Sequence, residues 1–100
     1  MNQNLPATLH VVATSPYSQQ ELALCLMAYA ATDQLLLVGD AVYGLVQLSG
    51  GLSQIAHAGQ LYVLEEDLQA RNIHLPAGVN AINYAGFVEL STLAQRVCTW

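Results

Sequence analysis

The chain has 100 residues, is 54% hydrophobic, and sets seven acids against two cations for a net charge of −5. That hydrophobic share excludes intrinsic disorder, and the length suits one small domain, residues 1–100, around a single core. Only 9% of the residues are charged, where about 25% is usual in a soluble chain, so part of the surface is expected to be covered by other subunits or by self-association.

The cations are Arg71 and Arg96, and there is no lysine. Nucleic-acid affinity comes from cations that neutralise phosphates, so this chain alone is not expected to bind RNA or DNA. Anionic lipid is excluded on the same ground. The uncharged stretch from Ala41 to Leu64 is broken by Gln47, Ser49, Gly50, Gly51, Ser53, Gln54 and His57. A spanning helix needs about 20 mostly apolar residues in a row, and none is present. Met1-Asn2-Gln3-Asn4 lacks the positive region of a signal peptide, and two distant cysteines make no disulfide framework. A cytoplasmic protein is expected.

Ala7 to Ala13 reads as a first strand on its Val11-Val12 pair, followed by a loop, Thr14 to Ser18, punctuated by Pro16. Ser18 and Glu21 have capping-box spacing, with Tyr17 and Leu22 placed as a hydrophobic staple. A helix then runs to about Ala31, with Leu22, Cys25, Leu26 and Tyr29 on one stripe. Gln34 to Val38 is a second strand bounded by Gly39, and Asp40 is placed to cap a short helix over residues 41–48 that Gly50 and Gly51 end. Gln60 to Leu64 is a third strand.

The acids Glu65, Glu66 and Asp67 suit the positive end of the next helix, whose last turn holds Arg71 and whose left-handed stop is Asn72. On that helix Arg71 is expected to pair with Asp67, at the i,i+4 spacing, rather than with Glu66. Gly78 to Ile82 is a fourth strand. Asn83 caps a last helix with Phe87, Leu90, Ala94 and Val97 along one face. Four β-α units with short links predict an α/β fold: a small open parallel sheet of about four strands, helices on both faces, doubly wound. Ligand or partner chemistry in such sheets gathers at the carboxyl ends of the strands.

The chemistry available there is sparse. The loop TSPYS has no glycine to cradle a flavin or dinucleotide phosphate, and a phospho-receiver needs a lysine that the chain lacks. Cys25 lies on an apolar stripe and reads as a buried, inert thiol. Cys98, in an exposed tail two residues after Arg96, is the one candidate sulfur carrier, against the reading of a thiol with no duty. His10, His57 and His74 have no metal-ligand spacing, and His10 reads as a hydrogen-bonded core side chain. Neither a metal nor a cofactor is called for. Tyr17, Tyr43, Tyr84 and Trp100, with Asp40, Glu66 and Asp67, are the candidate interface residues.

The run from Tyr62 to Arg71 (YVLEEDLQAR) and the run from Asn83 to Leu90 (NYAGFVEL) resemble the TusB/DsrH family of sulfur-relay subunits. Leu9-His10, Ser15-Pro16, Asp33 to Leu37, Asp40 and the tryptophan at position 100 add to the likeness, which spans nearly the whole chain. The resemblance implies a DsrE/F-like, flavodoxin-like fold and a place in a cytoplasmic heterohexamer with TusC/TusD-like (DsrF/DsrE-like) sisters. Such complexes pass persulfide sulfur towards 2-thiolation of the tRNA wobble uridine, or serve sulfur oxidation as DsrEFH. The resemblance also implies that the persulfide-bearing cysteine belongs to a sister subunit, and the turn after the third strand, with Glu65 and Glu66 and no cysteine, agrees with that. The expected role is therefore interface without catalysis; the alternative is persulfide carried on Cys98.

Overall fold

The computed structural model describes residues 7–17 and 20–100. Five parallel strands form one sheet: β1 (Thr8–Val12), β2 (Gln34–Leu37), β3 (Leu61–Leu64), β4 (Asn80–Ile82) and β5 (Arg96–Thr99), in the order β4-β3-β2-β1-β5. Four α-helices connect them: α1 (Glu21–Ala28), α2 (Gly50–His57), α3 (Glu65–Ala70) and α4 (Tyr84–Leu93), with a 3₁₀ segment at Gly39–Leu45.

Chain order and right-handed crossovers decide where the helices lie. The steps from β1 to β4 all move the same way along the sheet, so their connections share one face. The return from β4 to β5 crosses back over β3, β2 and β1, which puts α4 on the other face. The core divides accordingly. Leu35, Leu37, Leu61, Val63 and Val12 pack against Leu22 and Cys25 of α1, Leu52 and Ile55 of α2, and Leu68 of α3. Leu9, Val11 and Leu36 point the other way, against Phe87, Leu90 and Ala94. The central strands β1, β2 and β3 are largely apolar on both faces, as a parallel sheet with two covers requires, while the edge strands β4 and β5 are mostly exposed. The second cover is thin, because α4 buries none of its own residues.

The expected α/β sheet with helices on both faces is present, with one strand more than expected. The last helix stops at Leu93; Ala94 takes an extended conformation (ψ 147°), and Val97 lies on β5 instead of the helix stripe. A four-residue strand whose pairing partner is the first strand of the chain leaves no local signal. The middle of the chain also differs. Gly50 and Gly51 open α2 instead of ending a helix, and Asp40 sits inside the 3₁₀ segment without capping it. Leu52, Ile55 and Ala56, at i, i+3 and i+4, are the helical stripe that makes this stretch worth ordering.

Helix α1 ends three residues early, at Ala28. The Asp33 carboxylate accepts the Ala30 N–H at 2.9 Å and the Tyr29 hydroxyl donates to the Asp33 carbonyl, which turns the chain towards β2. At the other end Gln20 is the N-cap, and its N–H is met by the Glu21 carboxylate at 3.1 Å. Ser18, the expected capping residue, lies outside the described residues. Tyr17 is 71% exposed and does not close over the helix as a staple. Asn72 takes the left-handed conformation expected of it (φ 53°), and the Asn83 side chain caps α4 by accepting the Gly86 N–H at 2.9 Å.

Candidate functional site

All five strands run the same way, so every expected interface residue falls at one edge of the sheet. Tyr17 follows β1, Asp40 and Tyr43 follow β2, Glu66 and Asp67 follow β3, Tyr84 follows β4 and Trp100 follows β5. The strand order reverses between β1 and β5. In open α/β sheets the crevice outside such a switch point is where ligands gather.

Arg71 draws three of these residues together. Its Nε and Nη2 both donate to Asp40 Oδ1, at 3.1 and 2.9 Å, and its Nη1 donates to the Asp67 carbonyl at 3.1 Å. The guanidinium carbon stands 6.0 Å from the centre of the Tyr43 ring, within cation–π range. The Asp67 carboxylate lies 3.6 Å from Nη1, the expected i,i+4 pair, and its other oxygen accepts the Gly39 N–H at 2.7 Å. Gly39 has φ +54°, and a Cβ there would stand 3.1 Å from the Ala13 carbonyl oxygen. The turn after β2 is thus held between the β1 loop and α3, with glycine required at its tightest point. Tyr17 reaches the assembly with its hydroxyl 3.4 Å from the Tyr43 carbonyl.

Asp40 was expected as a helix cap and serves instead as the nearest anion to Arg71. Glu66 is exposed beside this group. Tyr84 stands apart on α4, 62% exposed, with its ring edge-on to Phe87 at 5.8 Å. Below Tyr17 a cleft of about 400 Å³ opens between α1 and the 3₁₀ segment, lined by Pro16, Leu22, Leu26, Gly44 and Leu52. Among the described residues no charged side chain lines it.

A second polar group lies inside. His10 and Asp33, each 4% exposed, meet at 2.8 Å through Nε2 and Oδ2. Trp100, half-buried against the core, donates its indole N–H to His10 Nδ1 at 3.0 Å. An indole nitrogen can only donate, so Nδ1 accepts and the imidazole proton sits on Nε2, pointing at Asp33. His10 is the hydrogen-bonded core side chain expected of it. Asp33, Tyr29 and the inward role of Trp100 were not foreseen, since 23 and 90 residues separate His10 from Asp33 and Trp100.

Cys98 is in strand β5 rather than an exposed tail; it is half-buried and in register with His10. Both His10 nitrogens hydrogen-bond other partners, Asp33 and Trp100, and neither is paired with the Cys98 thiol. Cys25 is fully buried, and burial pushes its thiol up to about 12, with Cys98 and Asp33 adding to the effect. The same causes, burial first and then Asp33, raise the Tyr29 phenol. Among the described residues no three His, Cys, Asp or Glu side chains are grouped to hold a metal, and no helix is long and apolar enough to cross a membrane.

Comparison with known proteins follows the same lines. A family model described as DsrH-like protein matches residues 14–97. The chain is 32% identical to Protein TusB of Erwinia tasmaniensis over 95 residues, covering 92% of this chain and 99% of that one. It is 30% identical to Protein TusB of Sodalis glossinidius over 94 residues, with the same coverage. The crystal structure of the ychN protein from E. coli superposes with a TM-score of 0.70 at 19% identity, covering 96% of this chain and all of that one, which is a likeness of fold.

Proposed function

The chain belongs to the DsrH-like family of sulfur-relay subunits, and from that premise we propose that it is the non-catalytic member of a cytoplasmic TusBCD-like complex. In this reading it joins TusC- and TusD-like sisters in a heterohexamer. The complex passes persulfide sulfur towards 2-thiolation of the tRNA wobble uridine, with the sulfur-bearing cysteine on a sister chain. The observation that carries the proposal is the match to TusB proteins along 99% of their length.

The chemistry of the carboxyl edge supports a role in assembly. The turn after β3 opens with Glu65 and Glu66, which cannot carry sulfane sulfur. Tyr17 and Tyr84 stand exposed at the same edge, the class of side chain that anchors protein interfaces. Four of the seven acids lie there too, so a contacting sister surface should be basic or neutral.

Co-expression with the two sister chains, affinity capture and native mass measurement test the assembly. Restoration of wobble-uridine thiolation in a strain lacking the subunit tests the pathway. We expect one complex holding all three chains and thiolation restored equally by the wild type and by Cys98→Ser. A chain that ignores its sisters overturns the reading. Loss of thiolation in a complex that still assembles with Cys98→Ser would move the sulfur onto this subunit.

A further inference from the structure

We propose that His10 is a proton-operated latch on Trp100. The two rings are 90 residues apart in sequence, and the only polar link between their side chains runs from the indole N–H to the imidazole Nδ1. That link exists only while Nδ1 keeps its lone pair. Nε2 already carries a proton towards Asp33, so the next proton taken up by the ring goes onto Nδ1. Two N–H groups then face one another at 3.0 Å, and the indole loses its acceptor.

The surroundings make that proton tolerable to the core. Asp33 remains in contact with Nε2, so the imidazolium is paired at once with a carboxylate and no uncompensated charge is buried. The Asp33 carboxylate is also held by the Ala30 N–H and stays in place. Among the described residues the other titratable groups around the ring are Cys25 on α1, Tyr29 just after it and Cys98 on β5. Cys25 and Tyr29 stay neutral through the acid and neutral range, since both are pushed to higher pH. Arg96, two residues before Cys98 on the same strand, is exposed.

The indole is what moves. The backbone N–H of Trp100 donates to the Val11 carbonyl at 2.9 Å, so the end of β5 stays paired while the side chain is released. Trp100 follows β5 at the carboxyl edge, next to the end of β1. While Nδ1 is unprotonated the ring is folded onto the core; with a proton on Nδ1 the ring is presented at that edge as an aromatic anchor. The latch rests on this geometry alone and stands whether or not the sulfur-relay reading does.

Trp100 is the one tryptophan of the chain, which gives the experiment a single reporter. Emission of the full chain and the indole N–H proton signal are followed as pH is lowered, with far-UV circular dichroism recorded in parallel. We expect a reversible red shift and a moving indole signal that share one transition while the far-UV signal stays constant. His10→Gln keeps an N–H for Asp33 and an oxygen for the indole, and its emission should not change with pH.

A red shift that persists in His10→Gln overturns the latch, as does one that accompanies loss of far-UV signal. Should that variant fail to fold, nitrogen NMR of the wild-type imidazole decides: a proton on Nδ1 at neutral pH overturns the proposal, and its arrival there together with the indole change supports it.

Discussion

Arg71 meets Asp40 at 2.9 Å across 31 residues of sequence, and meets the carboxylate of its own helix neighbour Asp67 only at 3.6 Å. The helix-local pair read from spacing is real, but the tertiary pair is the closer one. The difference matters because Asp40 belongs to the turn after β2, so Arg71 ties two carboxyl-edge segments together.

Arg71→Ala should lower stability by about 1–2 kcal/mol in urea unfolding. The exposed ion pairs contribute at most about 1 kcal/mol, and the rest comes from the hydrogen bond to the Asp67 carbonyl. High salt should shrink the difference. Arg71→Lys should recover less than half of it, since an ammonium cannot engage Asp40 and the Asp67 carbonyl in the same forked geometry.

Asn83→Ala should cost about 1 kcal/mol, because it leaves the Gly86 N–H at the start of α4 without its acceptor. Asn83→Asp keeps an acceptor and should stay close to wild type. An equal loss in both variants would show that the cap bond contributes nothing.

Alkaline stability follows from Cys25. Its thiol titrates near 9.0 when unfolded and at about 12 when folded, so the unfolded chain releases its proton first. Below pH 9 the thiol is neutral in both states and its contribution is intact; it is lost progressively as pH rises towards 12. The Tyr29 phenol, also raised, adds a second loss in the same direction. Urea midpoints should therefore fall across this range, and less steeply in Cys25→Ala. Equal slopes in the two proteins would contradict the assignment.

Thiol labelling should separate the cysteines. Brief treatment of the native protein with iodoacetamide should modify the half-buried Cys98 before the fully buried Cys25, read by peptide mass spectrometry. Unfolding in urea should equalise them.

Tyr17→Ser and Tyr84→Ser test the carboxyl edge as the contact surface. Both rings are largely exposed, so the folding transition should move little. If either anchors a sister chain, its removal should weaken capture by about 2 kcal/mol or more. Unchanged capture in both would place the contact elsewhere on the molecule.

Much of this protein was legible in its sequence. Val11-Val12, the apolar run at Leu35 to Leu37 and the Leu61 to Leu64 run each announce a strand within one or two residues of its ends. Asn72 and Asn83 announce a helix stop and a helix start, because both use chemistry confined to a few neighbouring residues. Strand β5 did not show. Arg96 to Thr99 is too short to signal itself and is held by pairing with β1, nearly the length of the chain away. Helix α2 was missed because Gly50 and Gly51 look like an ending, although the stripe after them is helical.

The residue types by themselves pointed to central strands β1 to β3 buried between two helical layers and to Cys25 in the core. Local propensity and charge act over a few residues, and those conclusions need nothing more. Which acid Arg71 holds, that Asp33 and Trp100 take opposite nitrogens of His10, and that Cys98 lies in a strand were decided by tertiary structure. Each depends on side chains from separate β-α units meeting after the sheet has closed, and no periodicity in the chain encodes that distance.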